Sequence, residues 1–314
     1  MDRFLQDWPI QKIIPSNPLF PDNLKNITDA PKELFFRGNL PKLSLALPKL
    51  SLALPKPSNK LFAVVGARLA SNYGRETAFA LTKELSVAGL TIVSGMALGI
   101  DTIAHQATLE TVKTSPLPFC PTMAVLGTGL NEEVIYPQEN LKLAKLILEQ
   151  GGCLISEYPP DAKGALYTFP QRNRIIAALS LGLLVIEAKI KSGALITANF
   201  AKQYKKPIFA VPGSIYSQSS KGCHLLIKQG AKLTESASDI LEVLGMKKDE
   251  AKQRLFATPQ EQAVETVLSS GALHIDKIIE LTKLPASEIA STITIMEVDN
   301  KVRNLGNNTY ALSR

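Results

Sequence analysis

The sequence predicts a doubly wound α/β fold, in which a mostly parallel sheet is covered by helices on both faces. Between residues 61 and 229, short apolar runs alternate with stretches of helical length. Strands of a parallel sheet are buried on both faces and are therefore apolar at nearly every position. Small or polar residues follow the runs, as expected where a strand turns into a helix.

Six strands and six helices account for this alternation. The strands are expected near residues 61–65, 90–93, 122–127, 152–156, 182–188 and 207–211. The helices are expected near residues 73–88, 99–112, 139–149, 171–180, 193–204 and 221–229. Ligands of doubly wound sheets bind beyond the carboxyl ends of the strands. These ends lie at Gly66, Ser94, Gly127, Ser156, Glu187 and Pro212.

The alternating pattern divides the chain into a lead-in, a large domain and a small domain. Residues 1–60 are an N-terminal lead-in in which LPKLSLA occurs twice in tandem, and a Pro in each copy excludes a continuous helix. We expect this duplicated segment to be extended. Residues 61–245 form the α/β domain, and a linker over 246–257 connects it to residues 258–314.

The C-terminal segment has the pattern of a winged helix. Thr258-Pro259 begins a helix, further helices are expected near 274–283 and 285–297, and a hairpin over 300–312 turns at Gly306. Residues 257–314 contain five Lys or Arg against seven Asp or Glu. Because this segment has no basic recognition face, we expect it to contact protein and not DNA.

Composition indicates a globular protein of the cytoplasm. The chain has 314 residues, 45% of them hydrophobic and 20% charged. Its longest apolar runs, such as Leu181–Ala188, are too short to span a membrane, and Met1–Ile14 does not resemble a signal peptide. Three Cys and three His residues are scattered, so we expect buried, reduced thiols and no zinc site.

Charge and two strand-to-helix junctions point to an anionic ligand. The net charge is +7, and residues 1–256 hold 30 Lys or Arg against 21 Asp or Glu. One apolar run leads through Ser94-Gly95 to a helix starting near Gly99, and another leads through Gly66 to Arg68. Backbone N–H groups at such helix starts bind phosphate, and the Arg68 guanidinium can reach the same ligand. We expect one anion-binding cleft.

A third candidate region is FPQRNRIIAALS at 169–180. Pro170 marks a helix start, with Arg172 and Arg174 in the first turn, where cations oppose the helix dipole. A bound anion would offset that cost; the alternative is a salt bridge to Glu157 or Glu187. Phe169 suits base stacking in single-stranded nucleic acid, with core packing as the alternative.

The remaining motifs exclude common nucleotide cofactors. VLGTGLNEE at 125–133 has Glu132 where the dinucleotide fingerprint requires a third glycine, and no P-loop sequence occurs. Glu187 has no His or second acid to complete a proton-transfer pair, so a structural partnership with Arg172 or Arg174 is favoured. We expect no metal and no organic cofactor.

Seven motifs together resemble the DNA-processing protein A (DprA, or Smf) family, over about residues 61 to 245. They are GARLASNYG at 66–74, SGMALGID at 94–101, VLGTGLNEEVIYPQEN at 125–140, ISEYPP at 155–160, FPQRNRIIAALS at 169–180, EAKIKSGALITANFA at 187–201 and FAVPGS at 209–214. The resemblance implies a Rossmann-like domain in a homodimer that binds and protects single-stranded DNA and loads RecA recombinase during natural transformation. It also implies no catalytic activity.

The resemblance also assigns site residues. It implies that Arg68, Arg172 and Arg174 hold phosphates and that Phe169 faces a base. Backbone contacts would come from Gly66, Ser94, Gly95 and Gly99, with Lys163 added from the loop before Phe169. Two positions depart from the family: Thr168 replaces a common Asn or His, and Asn199 replaces a frequent Arg.

The alternative function is an enzyme pocket for a nucleotide. Rossmann-like nucleoside-monophosphate phosphoribohydrolases carry P-G-G-x-G-T followed by an acid. The nearest sequence here is Val211-Pro212-Gly213-Ser214, which lacks most of that signature.

Overall fold

A computed structural model of the chain describes residues 5–41, 60–114, 120–246, 258–269, 271–299 and 301–313. The chain divides into two compact units, Met1–Met246 and Lys247–Arg314. The tandem repeat from residue 42 onward and the linker over 247–257 lie outside the described residues. Among the described helices, none is long and apolar enough to cross a membrane.

The first unit is built on a nine-stranded sheet. Its strands are β1 Gln11–Ile13, β2 Leu34–Gly38, β3 Leu61–Val65, β4 Thr91–Ser94, β5 Thr122–Val125, β6 Cys153–Ser156, β7 Leu183–Val185, β8 Ile208–Ala210 and β9 Lys232–Leu233. Its helices are α1 Asp22–Lys25, α2 Asn72–Val87, α3 Ile100–Thr114, α4 Leu141–Glu149, α5 Thr168–Leu179, α6 Gly193–Gln203, α7 Lys221–Lys228 and α8 Ala237–Val243.

The strand order is β1-β2-β6-β5-β4-β3-β7-β8-β9. All pairings from β6 to β9 are parallel, and helices connect successive strands. The predicted doubly wound, mostly parallel sheet is therefore confirmed. From β3 the chain builds outward through β4, β5 and β6, then crosses back so that β7 pairs with β3. The strand order reverses there, and this is the topological switch point of the sheet.

The part of the lead-in that the structure describes contains two strands and a short helix that were not predicted. The duplicated segment that was expected to be extended lies outside the described residues from residue 42 onward. Strand β2 pairs antiparallel with β6, where Phe36 lies opposite Ile155, and β1 pairs with β2. Phe20, Leu24 and Leu34 are buried in the main core. The short apolar pieces between the prolines thus cover the edge strand β6, which would otherwise expose unpaired backbone groups.

Apolar clusters on the two sides of the sheet form the core among the described residues of the first unit. One contains residues from β3, β7, α5 and α6, and the other contains residues from β5, the loop after it and α4. Cys120, Cys153 and Cys223 are free and buried, as predicted, and burial raises the pKa of Cys120 and of Cys223 to about 12. These thiols are therefore protonated at neutral pH.

The described residues of the second unit form three helices and a small sheet. The elements are α9 Pro259–Leu268, β10 Leu273–His274, α10 Ile275–Thr282, α11 Ala286–Val298, β11 Val302–Asn304 and β12 Thr309–Leu312. Thr258 and Glu261 form a capping box that begins α9. Asn307 and Asn308 have positive φ in the turn between β11 and β12. The predicted winged-helix arrangement is confirmed.

Candidate functional site

A cavity of about 320 Å³ lies at the switch point of the sheet. It is formed by the loop after β3 and the loop after β7, which lead into α2 and α6. The lining includes Gly66, Arg68, Asp101, Arg172, Lys189, Lys191, Ser192 and Gly193. At a switch point, the connections that follow two adjacent parallel strands run in opposite directions and leave a crevice between them. Ligands of doubly wound folds bind in this crevice.

The amino end of α6 forms one wall of the cavity. Ser192 caps the helix by accepting a hydrogen bond from the Ala194 N–H at 3.2 Å, and the space beside Gly193 is open. Lys189 and Lys191 are exposed in the loop just before it. An open helix amino end beside two cations is suited to an anion. The strand end at Glu187 and the helix near 193–204 were predicted from the sequence, but the two lysines between them were not among the predicted site residues.

Arg68 lies on the opposite wall, in the loop after β3. Its side chain is exposed, and no carboxylate among the described residues pairs with it. The start of α3 holds this loop in place, because the Ile100 N–H donates to the Ala67 carbonyl at 3.1 Å. A Cβ at Gly66 would lie 2.6 Å from Ile100, so glycine is required there for close packing. Gly99 has a φ of +80° and packs against the same loop.

Ser94 and Gly95 are buried and do not line the cavity. The Ser94 hydroxyl donates to the Val64 carbonyl at 2.7 Å, and the Gly95 N–H donates to Asp101 Oδ2 at 3.1 Å. A Cβ at Gly95 would lie 2.6 Å from the guanidinium carbon of Arg172. Both residues therefore use their polar groups within the fold, and a contact with DNA from either one stays a prediction.

Arg172 lines the cavity but is only 5% exposed. Its guanidinium donates to the Gly95 carbonyl at 2.5 Å and to the Val125 carbonyl, which joins the ends of β4 and β5. Burial lowers the pKa of Arg172 to about 10, while the nearby Asp101 carboxylate opposes that shift. Arg172 is thus charged at neutral pH and holds the floor of the cavity in place.

His105 lies in the same buried region, on α3. Its Nδ1 is 2.7 Å from the Thr122 hydroxyl. Burial, and secondarily the charge of Arg172, lowers the pKa of His105 to about 3. The imidazole is therefore neutral at physiological pH.

Arg174 does not line the cavity, and the predicted helix start before it is wrong. Helix α5 begins at Thr168, because proline is accommodated in a first turn, so Arg172 and Arg174 lie in the second turn. Arg174 pairs with Glu157 at 2.6 Å, with both side chains largely buried. This is the structural alternative considered from the sequence, and a phosphate contact of Arg174 stays a prediction.

Glu187 does not pair with either arginine, which corrects the partnership favoured from the sequence. Its buried carboxylate accepts hydrogen bonds from the Ser71 N–H at 2.9 Å, from the Ser71 hydroxyl at 2.7 Å and from the Ser219 hydroxyl at 2.9 Å. Ser71 caps α2 and Ser219 follows β8. Glu187 therefore connects the loop that carries Arg68 to two neighbouring strand ends.

Phe169 and Lys163 lie away from the cavity, beyond β5 and β6. Phe169 is half-buried, and its ring lies over the backbone of Gly127 and Gly164. The Tyr136 ring contacts it, with 5.5 Å between the ring centroids. Lys163 is exposed in the loop that precedes α5. The structure thus brings Gly66, Arg68 and Arg172 together and places the predicted base contact at a second location.

Both units match models of known protein families. Residues 11–245 match the model described as DNA recombination-mediator protein A, and residues 248–308 match the DprA winged helix domain. Protein Smf of Escherichia coli (strain K12) is 37% identical over 303 residues, which are 93% of this chain and 75% of the relative. DNA processing protein DprA of Streptococcus pneumoniae is 41% identical over 241 residues, which are 77% of this chain and 76% of the relative.

Two solved structures share the fold. The X-ray structure of DprA from Streptococcus pneumoniae has a TM-score of 0.62 and 37% identity, and the match covers 76% of this chain and 75% of that one. DNA processing protein A of Helicobacter pylori, whose structure is described for its single-stranded DNA binding mode, has a TM-score of 0.61 and 28% identity. That match covers 76% of this chain and 96% of the other. Motifs, family models and structures agree, and the chain belongs to the DNA recombination-mediator protein A (DprA/Smf) family.

Proposed function

We propose that this protein binds single-stranded DNA without sequence preference, protects it and loads RecA recombinase onto it during natural transformation and recombination. The observation that carries the proposal is the cavity at the switch point. Three exposed cations, Arg68, Lys189 and Lys191, surround an open helix amino end there, and no carboxylate among the described residues neutralises them. Membership of a recombination-mediator family and a relative described as binding single-stranded DNA support the proposal.

The cations set the expected salt dependence of binding. Each single-strand phosphate that a Lys or Arg neutralises contributes about −0.7 to the slope of log K against log salt concentration. Three such contacts predict a slope of about −2 from this cavity. The buried Arg172 adds no further phosphate contact in this scheme, because its guanidinium is directed at two carbonyls.

Fluorescence anisotropy of labelled oligo-dT, titrated at several salt concentrations, tests the proposal. Arg68→Ala and Lys189→Ala should each weaken binding and reduce the magnitude of the slope by about 0.7. Lys142→Ala is a matched control, because Lys142 is an exposed cation on α4 that does not line the cavity. Unchanged affinity and slope in both cavity variants would contradict this site.

We further propose that the protein acts as a homodimer and that RecA is its protein partner. Family membership supports both points. Light scattering coupled to size-exclusion chromatography measures the mass in solution. RecA filament assembly on DNA coated with single-strand binding protein measures loading. A protein that stays monomeric would contradict the proposed dimer, and one that leaves filament assembly unchanged would contradict the proposed RecA partnership.

The alternative is an enzyme that cleaves nucleotides. The cavity is large enough for a nucleotide. The chemistry of such an enzyme requires an acid free to act on the substrate, whereas Glu187 already accepts three hydrogen bonds from Ser71 and Ser219. We therefore expect no release of base from nucleoside monophosphates. Detection of free base above a protein-free control would favour the enzyme.

A further inference from the structure

Tyr136 is an exposed aromatic residue held between two buried neighbours. Its side chain is 55% exposed, whereas Ile135 and Pro137 on either side are buried. Two residues further along the loop, the Gln138 side chain donates to the Ile135 carbonyl at 2.9 Å, and Asn140 donates to the Met96 carbonyl at 2.8 Å. The backbone on both sides is thus fixed, and the ring projects from a rigid loop.

Phe169 supports this ring from one side. The two ring centroids are 5.5 Å apart and the planes are inclined by 50°, which is a favourable tilted contact and leaves no room for a base between them. Phe169 itself is confined, because a Cβ at Gly127 or Gly164 would lie 2.9 Å or 2.7 Å from its ring. Of the two rings, Tyr136 therefore has the larger open surface.

We propose that Tyr136, supported by Phe169, is a base-stacking site for single-stranded nucleic acid beyond the carboxyl ends of β5 and β6. The inference rests on the proposed single-strand binding and places one base at a location separate from the phosphate cavity. The family resemblance implies that Phe169 itself faces a base. In this proposal Phe169 instead positions the Tyr136 ring, and the base stacks on Tyr136.

The charges around Tyr136 favour a base over a phosphate as its partner. Glu133 and Glu139 are exposed in the same loop. Carboxylates repel phosphate, whereas stacking on an aromatic ring needs no cation and tolerates any base. The contribution of Tyr136 is therefore independent of salt, unlike that of Arg68.

The test compares Tyr136→Ala with the matched control Tyr136→Phe, which keeps the ring. Binding of labelled oligo-dT is measured at several salt concentrations, together with binding of an abasic oligonucleotide that keeps the phosphates. Tyr136→Ala should bind oligo-dT about tenfold more weakly than wild type, within a range of about 5- to 150-fold. Its salt slope should match that of wild type, and Tyr136→Phe should bind normally. Removing the bases should weaken wild type more than Tyr136→Ala.

Three outcomes would overturn the inference. Oligo-dT binding by Tyr136→Ala equal to that of Tyr136→Phe excludes a stacking role. An equal loss on the abasic strand, or a flatter salt slope, shows that the substitution acts on phosphate contacts or on the fold. Wild-type protein that does not bind oligo-dT at all would overturn the proposed function as well, so the two failures are distinguishable. Unfolding curves of both variants check that the loop stays folded.

Discussion

Replacement of Arg172 tests whether this residue holds the cavity floor or binds phosphate directly. Arg172→Met removes a guanidinium that is 5% exposed and that donates to the carbonyls of Gly95 and Val125. It also removes the positive charge that favours the ionised form of the buried Asp101, whose pKa burial raises. Hydrogen bonds to a charged group contribute about 1.5–3 kcal/mol each, so losing the two carbonyl contacts costs about 3–6 kcal/mol, a large share of the ~5–15 kcal/mol that stabilises a typical domain.

Urea unfolding measured by tryptophan fluorescence reports this loss. The chain has one tryptophan, Trp8, which packs against the core of the first unit, so the signal follows that unit alone. A loss of about 3–6 kcal/mol lowers the urea midpoint by about 1–3 M for an m-value of about 2–3 kcal/mol/M. The exposed-arginine control, Arg68→Ala, should lower stability by less than ~0.5 kcal/mol.

A double variant separates the charge interaction between Arg172 and Asp101 from general damage to the core. Asp101→Asn removes the carboxylate charge, so Asp101→Asn with Arg172→Met should lose less stability than the sum of the two single losses. The reasoning is refuted if Arg172→Met unfolds at the wild-type midpoint yet binds oligo-dT as weakly as Arg68→Ala. That pair of results would make Arg172 a phosphate ligand.

Three further predictions concern the buried histidine, the connecting carboxylate and the second unit. Since the pKa of His105 falls from 6.5 to about 3 on folding, the unfolded state alone binds this proton between those pH values, and stability falls as the pH drops. About 2 kcal/mol is lost by pH 5, and Trp8-monitored urea midpoints of His105→Gln should fall less than those of wild type between pH 7 and pH 5. Glu187→Ala leaves the Ser71 and Ser219 donors unpaired, so it should lower the free energy of unfolding by at least ~2 kcal/mol and weaken oligo-dT binding. Glu187→Gln should cause smaller losses of stability and of affinity. Deletion of residues 247–314 should leave oligo-dT affinity within about twofold of wild type, because α11 has no Lys or Arg; a tenfold loss would contradict this.

The α/β pattern was predictable because the parallel strands are buried on both faces. Strand β3 was predicted at its observed bounds, and β4 to β8 were predicted within about three residues, since each is a continuous apolar run. Strands β1, β2 and β9 were missed. A three-residue strand such as Gln11–Ile13 has no measurable periodicity, and the partner of β2, strand β6, lies more than 100 residues away in the sequence.

The site was predictable in location but not in the state of its side chains. Glycine-rich turns at strand ends identified the carboxyl edge of the sheet and Arg68, and the structure places Arg68 on the cavity wall. Lys189 and Lys191 were not selected, because only the pairing of β7 with β3 brings their loop beside Arg68. The sequence feature that could have identified them is a pair of lysines just before Ser192, the N-cap of α6.

The sequence by itself determined the α/β class, the winged-helix unit and the family, because periodicity and motifs are local properties of the chain. Tertiary structure decided which cations remain free. Arg68 is exposed, whereas Arg172 is bonded to two carbonyls and Arg174 is paired with Glu157. The partners of Arg172 and Arg174 come from other strand ends, and side-chain burial depends on how those ends pack together. A motif therefore fixes which residue types are present, but only packing fixes which of their polar groups are left for a ligand.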